Sequence, residues 1–182
     1  MKKQNTRLIV RGGGDLASGV IHRLYRSGYH VLILEGRKPS AIRRRVAFCE
    51  AVYDGEAAVE GVVSQLISDM ASCEEVWKAG KIPIMTDESG ETIKKMKPDA
   101  VIDAILAKKN LGTTKEMAPL TIGLGPGFTA GLDVDYVVET MRGHTLGRVI
   151  YLGSALPNTN IPGLIGGFAG ERVLRAPADG EF

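Results

Sequence analysis

The sequence predicts an α/β fold: a doubly wound, mostly parallel sheet followed by a β-rich, glycine-rich C-terminal extension. Three observations predict it. A short apolar run, Leu8-Ile9-Val10, leads directly into Gly12-Gly13-Gly14 and then into a helical pattern. Apolar runs alternate with amphipathic stretches from there to Leu106, as successive βα units do. The last third instead combines glycine, proline and β-branched residues. The division expected is an α/β domain over residues 1–118 and an extension over 119–182 packed on it.

The first unit is the most informative. Leu8-Ile9-Val10 reads as a buried parallel strand. Leu16, Val20 and Leu24 recur on one helical face with Ala17 and Ile21 beside it, and Gly28 reads as the stop. A second apolar strand runs from His30 to Leu34 and ends on Glu35, 18 positions beyond Ala17. Gly12, Gly14 and Ala17 fit G-x-G-x-x-G/A, and strand, turn, helix, strand and terminal acid together make the Rossmann-like dinucleotide fingerprint. Gly12 suits the tight turn, and Gly14 lets main-chain N–H groups approach a phosphate. The helix start offers partial positive charge to an anion, and Glu35 suits ribose hydroxyls. Asp15 conflicts with this, because its carboxylate at the helix start repels a phosphate.

The segment 37–45, RKPSAIRRR, carries five cations. Pro39-Ser40 reads as the start of a short helix through Arg45. Its place after the second strand is where a ribose 2′-phosphate or an extended anionic cofactor lies, although charge runs are commonly solvated faces. Glu35 favours a free ribose; Arg37 and Lys38 favour a phosphate.

Residues 46–54 read as a third strand, with Cys49 a buried small hydrophobe. Val59, Val62, Val63, Leu66, Ile67 and Met70 predict a helix over 57–71, and a second covers Glu74 to Ala79 with Trp77 packing. Ile82 to Met85 is a strand and Asp87 to Met96 a short polar helix. Ala100 to Leu106 is a strand holding Asp103. That acid either faces the ligand crevice at the strand's carboxyl end or is satisfied by a partner such as Lys108 or Lys109. Leu120 to Leu124 leads into a second glycine loop, 125–131, readable as an anion nest or as a wide structural turn. Asp133–Met141 and Arg148–Leu152 predict a hairpin that gathers Glu139, Arg142, His144 and Arg148. Residues 153–170 form a long loop, and the end of the chain reads as a strand and a turn.

The candidate cofactor-binding residues are therefore Gly12, Gly13, Gly14, Asp15, Leu16, Ala17, Glu35, Arg37 and Arg43, with Gly125 and Gly127 from the second loop. His144 and Asp103 are the catalytic candidates. Cys49 and Cys73 have no CxxC or Cys/His spacing, so no metal set is predicted, and two unlinked cysteines fit a reducing cytoplasm. A net charge of +2 carries no nucleic-acid signature. No apolar run approaches membrane-spanning length, and the N-terminus lacks a signal-peptide h-region. Pairing is frequent among such folds, which makes a homodimer the default expectation.

Three blocks, RGGGDLASGVIHRLYRSGYHVLILE, PSAIRRRVAFCEAVYDGE and RGHTLGRVIYLGSALPNT, resemble the YqeB-type accessory proteins of the selenium-dependent molybdenum hydroxylase system. More distantly they are similar to the XdhC/CoxI maturation factors. The resemblance covers almost the whole chain. It implies a cytoplasmic factor that delivers or modifies the molybdenum cofactor, binds a molybdopterin-type ligand and contacts the hydroxylase transiently. It also implies a further small β-rich segment, so the chain reads as truncated at its C-terminus. It supplies no catalytic residues. The fingerprint alone suits two alternatives: an NAD(P)-dependent oxidoreductase, and a nucleotide-sensing regulatory module. The oxidoreductase lacks the Tyr-x-x-x-Lys or His/Asp pairing common in dehydrogenases.

Overall fold

The computed structural model describes residues 6–159, 161–174, 177–178 and 180. A nine-stranded sheet organises the chain. Its strands are β1 (Arg7–Arg11), β2 (His30–Glu35), β3 (Glu56–Val59), β4 (Val62–Leu66), β5 (Ile82–Thr86), β6 (Ala100–Asp103), β7 (Thr121–Leu124), β9 (Tyr136–Val138) and β10 (Val149–Ile150). The order across it is β10-β9-β7-β6-β1-β2-β5-β4-β3. Only the two edge pairings, β3–β4 and β9–β10, are antiparallel. Within it β5-β2-β1-β6-β7-β9 run parallel in the order of a doubly wound dinucleotide-binding sheet, a topology compatible with a Rossmann-like fold. A separate two-stranded sheet pairs β8 (Thr129–Ala130) with β11 (Gly153–Ser154). The main sheet runs on past residue 118, where the sequence suggested a boundary, through β7, β9 and β10.

Among the described residues four short helices cover the sheet: α1 (Asp15–Arg26), α2 (Ala51–Asp54), α3 (Cys73–Lys78) and α4 (Glu91–Met96). Alternation along the strands sends Val10, Ile33 and Ile102 to one face, against Ala17 and Ile21 of α1 and Ala51 of α2. Ile9, Leu32, Leu34 and Val101 go to the other, against Cys73 and Val76 of α3 and Ile93 of α4. Both faces are thus buried, which is why the central strands are apolar at nearly every position. α1 ends as expected: Gly28, at φ +88°, donates to the Tyr25 carbonyl while Tyr29 donates to Leu24.

Two segments differ from the sequence reading. Residues 57–71 are not a helix but the β3–β4 hairpin, followed by a 3-10 turn at Met70–Ser72. Glu60 (φ +47°) and Gly61 (φ +80°) form a two-residue turn with both angles positive, the geometry that matches strand twist. The valines at 59, 62 and 63 satisfy a helical spacing, yet Val59 and Val62 are buried here as strand residues. Residues 46–54 are not a strand either. They form 3-10 turns at Arg44–Val46 and Phe48–Glu50 and then α2. The Cys49 N–H donates to Gly13 O (2.9 Å) and the Phe48 N–H to Ser18 Oγ (2.8 Å), so this main chain bonds to the glycine turn rather than to a sheet.

Smaller differences follow the same pattern. The helix expected from Pro39 to Arg45 is only the turn at Arg44–Val46. β6 ends at Asp103, three residues short of Leu106. The predicted hairpin over 133–152 is present in shortened form, with Val138 opposite Val149. The expected terminal strand falls partly outside the described residues; within them Gly170–Arg172 is a 3-10 turn.

Candidate functional site

The carboxyl ends of β1, β2 and β6 meet around the glycine turn, beside the position where the strand order reverses. Open α/β sheets bind ligands at that position. Gly12 has φ +92°, and a Cβ there would stand 2.9 Å from the Ala104 carbonyl oxygen. A Cβ on Gly13 would stand 3.2 Å from the Cys49 nitrogen. Gly12 is therefore required by the protein's own packing, and a side chain at Gly13 would crowd the Cys49 main chain. Gly14 is different. It is the N-cap of α1, in extended conformation, and a Cβ on it would meet nothing within 4 Å. It borders open space, and in the first turn of the helix the Asp15 carboxylate takes the Leu16 N–H.

That space is a crevice of about 410 Å³. Gly12, Gly14, Asp15, Leu16 and Ala17 form its floor, Glu35 and Gly36 one end, Lys38 to Ile42 one wall, and Ala104 to Leu106 with Cys49 the remainder. Glu35 Oε2 accepts the Gly13 N–H (2.6 Å) and Oε1 accepts the Gly36 N–H (2.8 Å). A carboxylate has about four acceptor positions, so two main-chain bonds leave Glu35 able to accept ribose hydroxyls while fixed in place.

The conflict at Asp15 has a structural answer. Arg43 Nε donates to Asp15 Oδ2 at 2.7 Å, and Asp15 Oδ1 accepts the Leu16 N–H. The charge that would repel a phosphate is thus paired with a cation on the crevice rim. Arg43 serves the site through Asp15, and its side chain is 67% exposed. Arg44 pairs instead with the buried Glu50. Arg37 is not among the lining residues; its main-chain N–H donates to Glu88 and its side chain is exposed.

Burial, with the Glu35 and Glu50 carboxylates adding to it, pushes the Cys49 thiol up to about 12. At neutral pH it is neutral and not a nucleophile, in keeping with a small buried hydrophobe.

Asp103 is at the carboxyl end of its strand but is turned into the protein and fully satisfied, so of the two readings open from sequence the partnered one holds. Its partners are not Lys108 or Lys109. Oδ2 accepts from Thr113 Oγ1 (2.6 Å) and faces Arg11 Nη1 (3.4 Å), while Oδ1 accepts the Ile105 N–H. Arg11, Asp103 and Thr113 are all buried. Asn110 holds the adjoining loop through the Thr113 and Gly112 N–H groups. The network shapes the 104–106 wall but does not line the crevice. His144 is exposed on the β9–β10 connection, and it too is absent from the crevice lining. Glu139 is buried and accepts from the Met141 and Leu156 N–H groups, so it orders loops.

The second glycine loop is a packing device at both predicted positions. A Cβ on Gly125 (φ +76°) would stand 2.6 Å from Thr140 Oγ1, and one on Gly127 (φ +112°) 2.7 Å from Lys109 Cα. Sequence reasoning missed Ser18, whose hydroxyl donates to Gly13 O and accepts the Phe48 N–H, clamping the turn. It also missed Arg11. An arginine ending an apolar strand just before the glycines is the same signal that drew attention to Asp103.

No family model matches the chain, and no solved structure matches it. The chain is 53% identical over 173 residues to a protein of Escherichia coli (strain K12) named "Uncharacterized protein YqeB". The match covers 95% of this chain and 32% of that relative, so the chain spans about a third of the length of the curated relative it matches. The YqeB-type resemblance is supported to that extent. Among the described residues no helix is long and apolar enough to cross a membrane, and no group of three or more His, Cys, Asp or Glu side chains is placed to hold a metal ion.

Proposed function

We propose that this chain binds a phosphate-bearing cofactor, of molybdopterin or nucleotide type, in the glycine crevice, and acts as an accessory factor in maturing a selenium-dependent molybdenum hydroxylase. The observation that carries the binding half is Gly14. It is the one glycine of the turn at which an added Cβ would meet nothing within 4 Å, and it borders the crevice at the start of the 12-residue helix α1. Main-chain N–H groups and the helix dipole there favour an anion. A molybdopterin carries a phosphate, and its dinucleotide form adds a pyrophosphate and a ribose. The residues suit such a group: the α1 start for phosphate, Glu35 for hydroxyls, and Lys38 for residual charge. The maturation role, and transient contact with a hydroxylase, rest on the YqeB-type resemblance.

The lining favours binding over catalysis. Its ionisable members are Asp15, Glu35, Lys38 and Cys49. Asp15 is ion-paired, Glu35 is bound to main chain, and Cys49 is held neutral. A second reading, a nucleotide-sensing module for NAD(P), draws on Glu35 at the tip of β2, where an acid meets a ribose. Calorimetric titration of the wild type and of Gly14→Val with a molybdopterin-type cofactor, NAD and NADP tests the proposal. Binding of one of them that Gly14→Val abolishes supports it. Absence of binding, or equal binding by the variant, overturns it.

A further inference from the structure

The crevice has a neighbour. Leu16 and Leu106 also line a second cavity of about 220 Å³, with Lys108, Pro126, Thr140 and Arg142 on its other sides. The two cavities, the glycine lobe and a second lobe, share these two leucines and lie side by side, one on each side of the position where the strand order reverses. The lobes differ in charge. The glycine lobe presents Asp15, Glu35 and Lys38. The second lobe presents Lys108 and Arg142 and no carboxylate. Neither cation is ion-paired among the described residues, whereas Arg43 and Arg44 both are.

The backbone between the lobes is also unusual. Leu106 (φ +59°) and Lys108 (φ +62°) both hold left-handed conformations without being glycine. Such conformations gather at ligand clamps. Here they fall on one residue shared by both lobes and on a cation of the second.

Resting on the reading of the glycine lobe above, we infer that the second lobe binds the far half of the same ligand, and that this half is anionic. The ligand class is a nucleotide or pyrophosphate ester whose distal moiety bears a carboxylate or phosphate. The ribose end lies on Glu35, the bridging phosphate at the α1 start, and the distal anion between Arg142 and Lys108. Oxidised nicotinamide, a cation, is disfavoured in that lobe by the two positive charges. Arg142 thus acts as a specificity residue for the distal group.

Three probes test this: ADP, which fills only the glycine lobe; NAD, with a carboxamide on its distal ring; and nicotinic acid adenine dinucleotide, with a carboxylate in its place. Affinities are measured by calorimetry on the wild type and on Arg142→Gln, an exposed substitution whose melting temperature is checked first. The inference expects the carboxylate dinucleotide to bind about tenfold more tightly than NAD. It also expects this preference to collapse in Arg142→Gln while ADP binding stays the same. Equal binding of the two dinucleotides, a preference that survives in Arg142→Gln, or loss of ADP binding in that variant overturns the inference and leaves the glycine lobe standing. Failure of all three probes to bind the wild type overturns the nucleotide reading of the glycine lobe, and this inference with it.

Discussion

The paired substitutions Gly12→Ala and Gly14→Ala separate the glycine the fold requires from the one it does not. At Gly12 the backbone has φ +92° and the new Cβ would stand 2.9–3.0 Å from the Ala104 and Ile105 main chain. A non-glycine residue in such a conformation costs about 1–2 kcal/mol. Displacing β6's continuation, itself tied to Asp103, adds about 1–2 kcal/mol of packing strain. The total is about 2–4 kcal/mol, which at roughly 2–4 °C per kcal/mol for a chain of this size lowers the melting temperature by about 4–16 °C. At Gly14 φ is −64° and the Cβ meets nothing within 4 Å. The change in stability is then within about 0.5 kcal/mol, or roughly 2 °C. Scanning calorimetry on the two variants and the wild type reads the contrast directly. Equal losses, or a larger loss at Gly14, would refute the assignment of Gly12 to packing and Gly14 to open space.

Other perturbations follow from the same structure. Arg11→Met leaves the buried Asp103 carboxylate without its cation and lowers unfolding free energy by about 3–5 kcal/mol in urea titrations; a loss under about 1 kcal/mol would mean the pair is not buried as described. Burial works to raise the Asp87 carboxyl, but hydrogen bonds from Thr92, Ser89 and Gly90 outweigh it and hold the group at about 2, below its ordinary 3.8. The depressed value means that this stabilisation is present above pH 3.8 and is lost as pH falls through about 2. Asp87→Asn therefore flattens the acid limb of a stability–pH curve, and an unchanged limb would contradict the bonding at the start of α4. Glu60→Asn, placing Asn-Gly in the β3–β4 turn where both φ angles are positive, raises stability by about 0.5 kcal/mol in urea titrations, and a loss of that size would contradict the turn geometry.

The sequence was legible where the determinants are local. Gly12, Gly14, Ala17, Gly28 and Glu35 lie within one βαβ unit, so their spacing alone located the turn, the helix and the crevice floor. The hairpin at 56–66 was not read correctly because Val59, Val62, Val63 and Leu66 satisfy two periods at once. The Glu60-Gly61 turn decides between them, and a glycine inside a supposed helix was the available signal. Residues 46–54 have strand-like composition, yet Phe48 and Cys49 bond to Ser18 and Gly13, about 30 positions or more away. Likewise Asp103 finds Arg11 across 92 positions. Pairings of that range leave no periodic trace, and neither does the crevice wall formed by Lys38–Ile42 and Ala104–Leu106.

The measurement that bears most directly on the central claim is native mass spectrometry of this chain and of Gly14→Val, both purified from cells that make molybdenum cofactor. The account predicts that the wild type carries an added mass matching a phosphate-bearing cofactor and that Gly14→Val, folded to the same melting temperature within about 2 °C, carries none. A wild-type mass with no adduct even after titration with molybdopterin-type and nucleotide cofactors, or an adduct that Gly14→Val retains, would contradict it.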